Sequence, residues 1–319
     1  MKNISTGRFL FLLAAAAGLG CLTFGCSQSK GPAKPRIALI MKSLSNEFFM
    51  TMENGARAHQ KQHDAEYELI ANGIKDDMDV ARQIDIVEQM IAQRVDAIVI
   101  APADSKALVM TCQKAQAAGI PVVNIDNKLD PGVLADKGVK VPFVGPDNRK
   151  GARQVGDYLA KRLQAGDKVA IIEGMPSAYN AVTRKQGLED AMKAAKVNIV
   201  SSQSGFWETD KANAIAAAVI TEHPDIKAIL CANDSMALGA VAALRSANKL
   251  DKVLVIGYDN ISAVQQLLKE GKILATADQH ADQLAVFGIQ YALDMIKTKG
   301  APQDRETPVD LVTLEPLKK

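Results

Sequence analysis

The chain has 319 residues and a formal charge of +2, with 48% hydrophobic and 23% charged residues. That balance belongs to a folded protein of about two domains and not to a disordered chain. Both units of charge sit at Lys2 and Arg8, so the chain is neutral from residue 26 onward. This disfavours nucleic acid as the main partner, because displacing its counterions needs net basic surface.

At the start, residues 2–8 carry Lys2 and Arg8 and no acid, and residues 9–25 are apolar or small. A basic n-region before an apolar h-region predicts an export signal over residues 1–25. A single membrane anchor is the alternative, but the segment is rich in small residues and no basic stop-transfer cluster follows it. Leu22-Thr23-Phe24-Gly25-Cys26 is similar to a bacterial lipobox. Cys26 is therefore the expected lipidation site, with residues 26–35 as a polar tether. The expected location is the periplasm or cell surface, with the protein held to the membrane by a lipid anchor. Cys112 and Cys231 lie in apolar segments and are expected to be buried free thiols rather than a disulfide framework.

From Pro35 the chain alternates short apolar runs with amphipathic stretches. The runs are Arg36–Lys42, Tyr67–Ala71, Ala97–Ala101, Val122–Ile125, Val141–Val144, Val169–Ile172, Ile199–Ser202, Ala228–Cys231, Val253–Gly257 and Ile273–Ala277. Helices are predicted over 46–63, 77–93, 104–118, 149–164, 181–195, 209–222, 234–247, 260–270 and 281–299. Repeated βα units with strands buried on both faces predict an α/β fold built on doubly wound parallel sheets. About ten strands exceed one comfortable domain, so two lobes with a cleft between them are expected. The longest irregular stretch, Asn127–Lys140, marks the expected break.

Ligands of such sheets bind at the carboxyl ends of the strands. Those ends carry Lys42 through Phe49, Asp126 with Asn127, Asn233 with Asp234, Tyr258 with Asp259 and Asn260, and Asp278 with Gln279. Any single Asn or Asp there could be a helix cap, but capping alone does not account for five polar strand ends. Phe48 and Phe49 stand about 100° apart on a helix, so at least one is expected to face the cleft. Carboxylates hold hydroxyl pairs, amides donate and accept, and aromatic rings cover the C–H faces of sugars. Neither Gly-rich phosphate fingerprint occurs, which disfavours a phosphate ligand. No cofactor and no metal are expected.

These residues resemble the periplasmic sugar-binding proteins of ABC transporters, in the pentose and hexose group nearest the ribose-binding proteins. The resemblance spans about 36–315. It rests on Ile37-Ala38-Leu39-Ile40 with Asn46, Phe48 and Phe49, on Ile125-Asp126, on the run Ala232 to Ala240, on Gly257-Tyr258-Asp259 and on Gln279. It implies two lobes joined by three hinge crossings, near Gly145–Asp147, Gln279–His280 and Thr307–Val309. The N-terminal lobe would then be 36–146 plus 280–307, and the C-terminal lobe 147–279 plus 308–319. It also implies ring contacts from Phe48, Phe49 and Trp207, and polar contacts from Asn46, Asp126, Arg184, Asn233, Asp259 and Gln279. Two positions depart from the family's ribose binders: Lys42 replaces a small hydroxyl residue, and Asn127 replaces an arginine. One cation has moved across the site, so Lys42 and Arg184 balance Asp126 and Asp259. That favours a neutral sugar or polyol and argues against ribose itself. Trp207 is larger than the usual Phe, and the Asn127–Lys140 loop is longer than the family pattern. The implied protein is a monomer that hands its ligand to an ABC permease by hinge closure.

Three other readings compete. A repressor's effector lobes share the fold but need a DNA-binding headpiece where this chain has an export signal. An enzyme is not expected: His59 and His63 could bind a metal at i, i+4 spacing, but they sit on a polar helix end, and no nucleophile–base constellation is readable. A sensory receptor handing its ligand state to a signalling partner remains the alternative to transport.

Overall fold

The computed structural model describes residues 33–298 and 303–314. The expected export signal, Cys26 and the tether as far as residue 32 lie outside the described residues. From Lys34 onward the chain is one compact unit built as two lobes.

The first lobe takes β1 (Arg36–Ser43), α1 (Glu47–Gln62), β2 (Glu68–Ile74), α2 (Val80–Ala92), β3 (Ala97–Ile100), α3 (Leu108–Ala117), β4 (Val122–Ile125), α4 (Pro131–Lys137) and β5 (Phe143–Gly145). The second takes α5 (Asn148–Ala160), β6 (Lys168–Glu173), α6 (Tyr179–Ala194), β7 (Asn198–Ser204), α7 (Thr209–Glu222), β8 (Ala228–Cys231), α8 (Asp234–Ser246), β9 (Leu254–Ile256), α9 (Ser262–Lys269) and β10 (Ala275–Asp278). The chain then returns to the first lobe for α10 (Ala281–Thr298) and β11 (Arg305–Glu306), and ends its described part in the second with β12 (Asp310–Thr313).

Each sheet has six strands, in the orders β11-β5-β4-β3-β1-β2 and β12-β10-β9-β8-β6-β7. All pairings are parallel except β10 with β12. The two-lobe doubly wound architecture with three crossings is therefore present, with one antiparallel edge added. Central strands such as β3 and β8 are buried at every residue, which is why they read as unbroken apolar runs. On α1, Phe48, Phe49, Met52 and Ala56 form the buried face. Gly55 lets α10 come close, since a Cβ there would lie 2.0 Å from the Asp282 carbonyl oxygen.

The stretch Asn127–Lys140 does not divide the lobes. It folds into α4 inside the first lobe. Asp130 caps its start, Pro131 occupies the first turn, and Gly138 ends it at φ +64°. The chain leaves the first lobe only after β5. Cys112 and Cys231 are buried and free, and burial pushes both thiols up, Cys112 to about 12. His59 and His63 stack with ring centroids 4.2 Å apart, and their Nδ1 atoms are engaged by Tyr67 and Glu66.

Candidate functional site

A small cavity lies between the carboxyl ends of the two sheets, lined from both lobes. In the first lobe Lys42 is buried near the end of β1, its Nζ 3.2 Å from Asp77 Oδ2. Asp77 is held in turn by the Ser43 amide, which donates to its other oxygen at 2.7 Å. The Lys42 ammonium also sits 5.6 Å from the Phe49 ring centre and 5.2 Å from that of Trp207, the latter across the cleft. Asn46 caps α1 by accepting from the Phe48 amide. That commits its side-chain oxygen and leaves its NH₂ group as a donor. Phe48 and Phe49 meet edge to face at 5.1 Å, and both line the cavity. Asp126 follows β4 at φ +58°, a left-handed conformation disfavoured for a side chain and typical of functional strand ends.

The second lobe supplies the opposite wall. Trp207 follows β7 at φ +69° and lays its indole over Gly174. A Cβ at Gly174 would fall 2.0 Å from the ring, so only glycine admits the tryptophan in this position. Arg184, on α6, is buried. Its Nε donates to Asn148 Oδ1 at 2.7 Å, and its Nη1 donates to the Ala232 carbonyl at 3.0 Å and approaches Asp259 Oδ1 at 3.4 Å. Its guanidinium stacks on Tyr258, 3.7 Å from the ring centre. These partners fix the fork in one orientation. Asn233 caps α8 by accepting from Met236. Asp259 follows β9 at φ +123°, and Gln279 Nε2 donates to it at 2.8 Å. Burial pushes the Asp259 carboxyl up to about 8 against the pull of Arg184. Burial also raises Asp126, with Lys42 and Arg184 opposing.

The cavity thus gathers Lys42, Asn46, Phe48, Phe49, Asp126, Arg184, Trp207, Asn233, Asp259 and Gln279. Asn127 is not among them. It is fully buried behind the wall, where Nδ2 donates to the Pro102 carbonyl and Oδ1 accepts from Ser105 Oγ and the Asn180 amide. Its amide is committed to those partners and not to the cavity. Two lining residues, Asp77 and Asn180, escaped the sequence reading. Asp77 follows β2, whose last residues Asn72-Gly73-Ile74 carry the strand past the apolar run. Asn180 opens α6 after β6, beyond an irregular link. Asp77 adds a third carboxyl against Lys42 and Arg184, so the cavity holds one acid more than the expected two against two. Asp126 Oδ2, Asn180 Oδ1, Trp207 Nε1 and Gln279 Oε1 are buried without a hydrogen-bond partner in the protein. Buried polar atoms are normally paired, so these four are groups a polar solute would satisfy.

A pair of doubly wound lobes closing on such a cavity defines a binding protein that holds a small solute between two lobes. The profile of the periplasmic binding protein domain matches residues 37–300, and the chain belongs to that family. It is 56% identical over 317 residues to the D-ribose/D-allose-binding protein of Pseudomonas aeruginosa, covering 98% of this chain and 99% of that protein. An ABC transporter solute-binding protein from Burkholderia multivorans superposes with a TM-score of 0.86 at 60% identity, covering 88% of this chain and 100% of that one. A periplasmic solute-binding protein from Actinobacillus succinogenes with bound D-allose superposes at 0.84 with 38% identity, covering 88% and 98%.

Proposed function

We propose that the chain captures a neutral aldose outside the cytoplasm and delivers it to an ABC permease by closing its two lobes. The observation that carries this reading is the cavity itself. Both walls present hydroxyl-binding groups, and both present rings for a sugar's C–H faces. Asp126 and Asp259 reach in from opposite lobes, with Gln279 and Asn180 as further acceptors and Lys42, Asn46, Asn233 and Arg184 as donors. Phe48 and Phe49 cover one face and Trp207 the other. A solute touching both walls favours the closed state by its differential affinity for it.

D-Allose and D-ribose are the first candidates, because relatives are described as binding them. Both present their ring hydroxyls at C2, C3 and C4 in the same configuration, and allose adds a hydroxymethyl group. Lys42 in place of a small hydroxyl residue favours the sugar with the extra hydroxyl. We read the chain as a carrier, not an enzyme, because Asp77 and Asp259 are tied to Lys42, Arg184 and Gln279 and the unpartnered Asp126 stands ready to hold hydroxyl groups. A monomer suffices, since both walls come from one chain. Lipidation at Cys26 would keep the carrier beside its permease; labelled palmitate should mark the wild type and not Cys26→Ala.

Titration calorimetry with D-allose, D-ribose, D-glucose and myo-inositol tests the sugar reading. Binding of allose or ribose with a shift in Trp207 emission is expected. Failure of all four, with the fold intact, overturns it.

A further inference from the structure

Most helices of the first lobe that begin at the cleft cap themselves. Asn46 caps α1, Asp79 caps α2 and Asp130 caps α4, each with its own side chain. Three helices of the second lobe do not: α7, whose N-cap Glu208 makes no cap bond with its side chain, and α6 and α9. The residue before α6 is Ala178 and the residue before α9 is Ile261, and neither has a side chain able to accept a hydrogen bond. The first amide groups of a helix have no partner inside it, so these two starts need acceptors from elsewhere.

The first lobe supplies them across the cleft. Tyr179 N donates to Ser105 Oγ at 2.8 Å, and Asn180 N donates to Asn127 Oδ1 at 3.1 Å. Ser105 Oγ also donates to Asn127 at 3.3 Å, and the Ser105 amide donates to the Ser177 carbonyl at 3.1 Å. On the other flank of the cavity Ser262 N, the first amide of α9, donates to Glu47 Oε1 at 2.7 Å. The Glu47 carboxylate there meets the positive end of α9. Ser105, Asn127 and Glu47 are all outside the cavity lining.

We propose that Glu47 on one flank and Ser105 with Asn127 on the other form an interlobe clasp, in which first-lobe side chains cap second-lobe helices only when the lobes are closed. The clasp sets how much of the protein is closed before any solute arrives. Affinity therefore depends on it through the closed fraction and not through recognition. It rests on the sugar-carrier reading only for the choice of solute. Asn127 stands where the resemblance placed a solute-contacting arginine, so the position has moved from recognition to closure.

The test compares wild type with Glu47→Ala, Ser105→Ala and Glu47→Gln, which keeps an acceptor oxygen. Losing a cap corresponds to about a threefold to thirtyfold change. Affinities for D-allose and D-ribose should fall by the same factor in both alanine variants, through faster dissociation, and Glu47→Gln should recover most of it. Without sugar, small-angle scattering should show a larger radius of gyration in the alanine variants than in wild type. Unchanged affinity in both alanine variants, or a loss confined to one sugar, overturns the clasp. If neither sugar binds wild type, the functional reading fails, and the clasp is judged by the sugar-free scattering alone. Identical radii there overturn it.

Discussion

The two lobes have one strand order, and equivalent strands end in equivalent places. Ala101 N donates to Ile40 O in the first lobe and Ala232 N to Ile172 O in the second, both at 2.9 Å. That register aligns Lys42 with Gly174. Beyond β4 and β9 the lobes keep the same device, a carboxylate on a left-handed backbone, at Asp126 and Asp259. At the ends of β1 and β6 they diverge. The first lobe sends in a cation, whereas the second removes its side chain and lets Trp207 lie over the gap. At the starts of α1 and α6 they diverge again, with Asn46 against Ala178. One scaffold therefore puts a lysine on one wall and an indole on the other at the same register, and the shared features are those that hold hydroxyls.

The largest expected effect breaks what the lobes share. Asp126→Ala and Asp259→Ala should each weaken sugar binding by tens of fold to beyond a hundredfold, since each removes a buried carboxyl that would hold the sugar's hydroxyls. Calorimetry checks this, and comparable losses from the two lobes would show that the walls work as equals. The next change breaks what distinguishes them. Gly174→Ala should push the indole aside, cost about 1–3 kcal/mol by overpacking, and shift Trp207 emission even without sugar. Denaturant unfolding followed by fluorescence reads both.

pH sharpens the comparison further. Burial holds the Asp259 carboxyl at about 8. Hydroxyls donating to it favour the charged form, so binding should expel a proton. Affinity should then rise from pH 6 to pH 8 by up to about tenfold per unit and level off above. Calorimetry in buffers of different ionisation heat measures the proton released. The smallest effect concerns selectivity. Lys42→Ser alone would leave Asp77 as a buried unpaired charge. Lys42→Ser combined with Asp77→Asn avoids that, and should alter the ratio of allose to ribose affinity by a fewfold. Equal loss for both sugars would mark Lys42 as a general contact.

The alternation of strand and helix was legible because a strand buried on both faces reads as an apolar run. Elements without that burial were not. The edge strand β11 is only Arg305 and Glu306, both exposed, and β12 is at most half-buried. The short helix α4 buries none of its residues, so only its cap, proline and terminal glycine betray it. At the site, polar residues just past an apolar run were readable, as with Asp126 and Asp259. Asp77 was not, because Asn72 and Gly73 hide the true end of β2. The role of Asn127 was not readable either, because its partners Ser105 and Asn180 come from segments distant in sequence, Asn180 from the other lobe.

The return of α10 to the first lobe also governs how the chain reaches its fold. The first lobe lacks the helix that packs on β3, β4 and α1 until the second lobe's first five strands have been made. The second in turn lacks the edge strand β12 until the chain has crossed back once more. Neither half is a finished unit on its own, and the contact of Gly55 with Asp282 closes over most of the chain. Contacts so distant in sequence form slowly. A chain cut short before α10 would expose the apolar floor of its first sheet, and such a fragment is a target for proteolysis and aggregation rather than a working half-protein.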